Sequence, residues 1–72
     1  NFATVQIDAT AGSAIEVAVY DFTGRLMQSQ LAELQQGRNN IGINTTDFAN
    51  GVYLVYVSGE GFRQHTKLTV RK

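Results

Sequence analysis

The residue types able to do chemistry are few in this chain, and they are scattered. His65 is its one imidazole, and cysteine is absent. A metal centre built from nitrogen and sulfur ligands needs several such groups held close together, which His65 alone does not supply. Ser13, Ser29 and Ser58 are candidate nucleophiles, but each would have to share the same histidine, and no strand-to-helix elbow presents any of them. Asp8, Glu16, Asp21, Glu33, Asp47 and Glu60 stand singly in the sequence. Paired acid chemistry of the glycosidase kind needs two carboxylates flanking a cleft, and so small a domain has little room for a deep one. The residues therefore predict no enzyme, no metal and no cofactor.

The elements that would position these residues read as strands. Apolar residues alternate with others in short segments separated by Gly, Asn and Asp, the pattern of an all-β domain. Thr4 to Asp8 puts Val5 and Ile7 on one face, and Ala14 to Tyr20 does the same with Ile15, Val17 and Val19. Leu26 to Leu34 is a weaker strand, whose Gln28, Ser29 and Gln30 suit solvent or an edge better than a core. Its end, Leu31 to Gln36, has helical propensity but is too short to be read as helix. Gln36 to Asn40 is turn chemistry, followed by a short strand carrying Ile41 and Ile43. Thr45 to Gly51 is a compact loop plugged by Phe48, with Asn50 and Gly51 able to supply positive φ. Val52 to Val57 is apolar on both faces and should be central, and Phe62 to Val70 closes the chain with Leu68 and Val70 inward. The prediction is a small two-sheet sandwich of about six or seven mostly antiparallel strands.

With 72 residues and no internal repeat or linker, one domain spanning residues 1–72 fills the chain, burying roughly 60% of the surface it exposes when unfolded. No disulfide or metal staples it, so packing must hold it. Six basic and six acidic side chains balance, giving no global field to attract nucleic acid or an anionic membrane. No apolar run reaches the length of about 20 residues that a spanning helix needs, so membrane insertion is not expected. The start, Asn1-Phe2-Ala3, lacks both an initiator Met and the layout of a signal peptide, which reads as the tail of a longer protein.

Three motifs stand out. In Asp21-Phe22-Thr23-Gly24-Arg25 the aspartate caps a hairpin turn, Gly24 takes the φ that other residues resist, and Arg25 lies near Asp21 for charge pairing. In Asn50-Gly51-Val52-Tyr53 a loop enters the strongest strand, where Gly51 relieves crowding and Tyr53 packs its ring and sends its hydroxyl to a boundary partner. The basic end, Lys67, Arg71 and Lys72, protects a strand edge or offers a partner protein something to grip, by charge or by strand addition.

In this order and spacing the pieces resemble the type IX secretion system C-terminal sorting domain, in its type A-like form. The carriers are VYDFTGRL at Val19 to Leu26, the Gly37 and Asn39 turn leading into Ile41 and Ile43, FANGVYLVYV at Phe48 to Val57, and the TKLTVRK ending. The resemblance implies an immunoglobulin-like sandwich that directs its upstream carrier through the outer-membrane translocon and is then commonly removed by a sortase. The carrier ends at the cell surface or in the medium. It further implies Asp21, Gly24, Arg25, Gly51, Tyr53, Lys67, Arg71 and Lys72 as positions read by translocon or sortase. Members often begin with a Pro-Asn-Pro-like segment, whereas this chain has no proline. Self-association through an exposed edge is a further expectation, and an outward Tyr56 marks an interface. The alternative is an accessory Ig-like or carbohydrate-binding module of a secreted enzyme, supported by Tyr20, Tyr56 and Phe62 as exposed candidates.

Overall fold

Period-two alternation becomes strand throughout the computed structural model, which describes residues 2–71. Lys72 and the side chain of Phe62 lie outside the described residues. The strands are β1 (Phe2–Ala9), β2 (Ser13–Asp21), β3 (Leu26–Leu34), β4 (Gly37–Asn44), β5 (Gly51–Gly59) and β6 (Phe62–Val70). β1 pairs with β4 in a two-stranded sheet, and the other strands form a second sheet in the order β3-β2-β5-β6. Every pairing is antiparallel. Among the described residues the architecture is thus all-β, in two sheets and six strands.

A single core joins the sheets. Val5 and Ile7 from β1 and Ile41 and Ile43 from β4 meet Ile15, Val17 and Val19 from β2 and Val55 and Val57 from β5 in one cluster. Burying each such aliphatic side chain contributes roughly 1.5–3 kcal/mol. The tightest backbone approach falls at Gly59, where a Cβ would lie 2.9 Å from the carbonyl oxygen of Ala14. Only glycine lets β5 come that close to β2.

Two sequence expectations need correction. Residues 36–40 were expected to form a turn, but β4 already begins at Gly37. Asn39 is the cause: its Nδ2 donates to the carbonyls of Gln35 (2.8 Å), Gly37 (3.1 Å) and Ile7 (3.3 Å), and its Oδ1 accepts from the Gln35 amide (2.9 Å). The side chain makes the turn's hydrogen bonds, so its backbone is left to pair with Ile7 in β1. The second correction concerns Gln28 and Gln30. β3 is an edge strand as expected, but these two residues sit opposite buried Val19 and Val17, on the inner face. Gln30 Nε2 donates to the Gly42 carbonyl on β4 at 3.3 Å and ties the two sheets together along that side.

Among the described residues the opposite side has no such tie. There β1 and β6 flank an open groove of about 320 Å³, with Val5 and Gln6 on one wall and Gln64, Thr66 and Leu68 on the other. β5 is an interior strand, as its sequence requires, but its second face is open to solvent: Val52 and Tyr56 are 42% and 41% exposed.

Candidate functional site: one end of the larger sheet

The β2–β3 turn is built around one carboxylate. Asp21 Oδ1 accepts hydrogen bonds from the Thr23 amide (2.9 Å), the Thr23 hydroxyl (2.6 Å) and the Arg25 amide (2.9 Å). The Arg25 guanidinium lies 3.7 Å from Oδ2. The backbone closes the turn through Gly24 N to Asp21 O (3.0 Å) and Asp21 N to Arg25 O (2.9 Å). Gly24 has a φ of 90°, which an L side chain resists. The Thr23 hydroxyl, followed by the Arg25 amide, holds the Asp21 carboxyl below its ordinary value of 3.8.

Because the folded-state value is depressed, the native domain binds fewer protons here than the unfolded chain. The stability this carboxylate contributes is present above pH 3.8 and is lost as pH falls through the lower folded-state value. Asp21→Asn should lower the melting temperature at pH 7, and the gap between variant and wild type should narrow as the solution is acidified below that range. Thermal melts along a pH series check this. A gap that stays constant with pH would assign the effect to shape alone.

The loop before β5 is held just as locally. Phe48 is 4% exposed, and its amide donates to the Thr45 carbonyl at 3.0 Å. Its ring stacks on Tyr53 with centroids 4.8 Å apart, and the Tyr53 hydroxyl donates to the Ala49 carbonyl at 2.6 Å. The Tyr53 hydroxyl thus has the partner its sequence position suggested. Gly51 has a φ of 155°, at the border of extended backbone. Tyr53→Phe should cost about 1 kcal/mol, the net worth of one such hydrogen bond. A shifted urea midpoint with an unchanged slope is the expected readout.

These segments, distant in sequence, meet at one end of the four-stranded sheet. Asp21 is the cross-strand partner of Tyr53, which in turn pairs with Leu68, and Gly51 pairs with Val70. Neighbouring strands lie about 4.8 Å apart, so the β2–β3 turn, the start of β5 and the end of β6 share one rim. Their exposures differ. Arg25, Lys67 and Arg71 stand in solvent, whereas Tyr53 is 5% exposed and builds the loop rather than facing a partner. Lys72 lies outside the described residues.

Sequence reading missed two surface features. Phe22, at the tip of the turn, is 82% exposed, and Arg63 aligns with His65 and Lys67 on the outer face of β6. Their alternate spacing was the available signal. On the same face Tyr20 and Tyr56 meet edge to face at 5.5 Å and 89°, and the His65 ring lies 5.6 Å from Tyr56. Perpendicular tyrosines present no common flat platform for a sugar ring. His65 sits opposite Tyr56 rather than a serine, and among the described residues no group of three or more metal-ligating side chains gathers.

The sequence matches the model of the family described as the secretion system C-terminal sorting domain, over residues 1–71. No curated protein and no solved structure matches it. With the match running nearly end to end, the chain belongs to the family of secretion system C-terminal sorting domains, and it directs secretion by the type IX system.

Proposed function

We propose that the shared rim of the larger sheet is the surface by which this domain is read during export. The observation that carries this reading is the convergence of the β2–β3 turn, the entry to β5 and the end of β6. Asp21, Gly24, Gly51 and Tyr53 shape and position the rim, and the exposed Arg25, Lys67 and Arg71 present charge to the translocon and then to the sortase, both of which also read Lys72 as part of the signal. The carrier is an upstream domain of the same protein, and residues 1–72 act as its tail. It crosses the periplasm and outer membrane and finishes at the cell surface or in the medium. Two antiparallel sheets around one core support an immunoglobulin-like reading of the fold.

The test is a fusion of these residues behind a periplasmic reporter in a host with a working type IX system. The reporter is expected outside the cell, and deletion of Arg71 and Lys72 is expected to block its export. A folded, stable wild-type fusion that remains in the periplasm would overturn the reading.

A further inference from the structure

We infer that β6 is a receptor edge for an extended acidic segment of a partner protein, which adds to the larger sheet as a further strand. The inference deepens the sorting role by naming the chemistry of what grips the domain, and it rests on that role. Among the described residues β6 ends its sheet, with β5 as its neighbour. Along such an edge every second residue turns its backbone N–H and C=O away from the neighbour, ready to pair with an incoming chain.

Both faces of this edge are unfinished. On the inner face, Gln64 and Thr66 sit opposite buried Val57 and Val55, yet both are exposed, because the two-stranded sheet stops short of them. They line the open groove against Val5 and Gln6 of β1. A strand added beside β6 would cover them and fill that groove with alternate side chains of modest size.

The outer face fixes the charge of the occupant. Arg63, His65 and Lys67 project there, opposite Ser58, Tyr56 and Leu54. Among the described residues, the ion pairs are Arg25 with Asp21 and Arg38 with Asp8, so neither Arg63 nor Lys67 has an anionic partner. Cross-strand neighbours of opposite charge stabilise a pairing, and like charges oppose it. Acidic residues at alternate positions of the incoming strand therefore complement this edge.

The same arrangement disfavours a second copy of the chain. Two β6 edges pairing antiparallel would set Arg63, His65 and Lys67 against their own equivalents, and this argues against the self-association expected from an exposed edge. The free edge of β1 lacks the cationic row, since its outward residues are Phe2, Thr4, Gln6 and Asp8.

The experiment titrates the 72-residue chain with peptides of about ten residues, long enough to span one strand. In one peptide glutamate alternates with threonine, and in its match lysine replaces glutamate. Amide exchange and chemical shifts are followed by NMR. The glutamate peptide should protect those β6 amides that point away from β5 and shift the signals of Gln64 and Thr66. It should bind at least about tenfold more tightly than the lysine peptide, and the double variant Arg63→Glu, Lys67→Glu should invert that preference. Association that leaves the β6 amides unprotected would overturn the proposal, as would binding to anionic vesicles or DNA without peptide binding. If the folded double variant exports a fused reporter as wild type does, the edge is not where recognition occurs and the proposal fails. The sorting role would survive that result, because it fails only when the wild-type fusion stays in the periplasm.

Discussion

A chain carrying Phe48→Ala should lose a large share of its stability and, at the lower end of what a domain this size holds, be largely unfolded at 37 °C. Phe48 is 4% exposed and stacked on Tyr53, and deleting a buried phenylalanine costs about 3–5 kcal/mol. At about 0.05–0.15 kcal/mol per residue, a domain of this length holds only about 4–11 kcal/mol in total. The loss therefore consumes most of the stability at the lower end of that range. The damage also spreads, because the ring supports Tyr53, whose hydroxyl holds the Ala49 carbonyl and so the whole loop into β5. Urea denaturation followed by circular dichroism should show the midpoint collapsing, while Phe48→Leu keeps a clear transition. The same pair of variants separates two ways of reading a signal. A translocon that recognises the folded rim should export the Phe48→Leu fusion and fail with Phe48→Ala. Normal export of the unfolded variant would show that the signal is read as linear sequence.

Asn39→Asp is expected to be the most damaging substitution of a polar residue. The side chain is half-buried, and its Nδ2 faces three carbonyl oxygens, those of Ile7, Gln35 and Gly37. A carboxylate cannot donate to any of them and sets a negative charge against all three. Asn39→Ala should cost about 1–3 kcal/mol, the loss of several hydrogen bonds each worth roughly 0.5–1.5 kcal/mol net, and Asn39→Asp should cost more. The sign of its pH dependence is the reverse of that for Asp21. The introduced carboxyl regains a donor when protonated, so the variant should recover part of its stability on acidification. Melts at neutral and acid pH check this, and equal damage from the alanine and aspartate variants would show that lost donors alone matter.

Features that depend on neighbours along the chain were readable from sequence. Alternation located β1 and β2, and a run apolar on both faces located β5. The capping Asp21, the positive φ at Gly24 and the Phe48 plug are local chemistry acting within a few residues. Asn39 was misread because one of its acceptors, the Ile7 carbonyl, belongs to a strand at the far end of the sequence, and a Gly followed closely by two Asn signals a turn by default. Gln30 misled for the same reason: a polar residue on an edge strand faces inward when a carbonyl across the core, here that of Gly42, can accept from it. The meeting of Asp21 with Tyr53 and of Tyr53 with Leu68 needs the β3-β2-β5-β6 order, which alternation does not encode.

The split into a four-stranded and a two-stranded sheet also sets the order in which the domain assembles and comes apart. β2 with β3 and β5 with β6 are hairpins that close over short loops, and they should form first, because short loops cost the least closure entropy. β1 must instead find β4 across the intervening hairpin, pairing Ala3 with Ile43, and a lone two-stranded ribbon has little stability in water. It forms only on a platform already built, so folding should take on the order of milliseconds to seconds, as for other chains dominated by distant pairings. In native-state hydrogen exchange, β1 and β4 should open together and ahead of β2 and β5. The strand nearest the start of the chain is then the last to be captured and the first to be released.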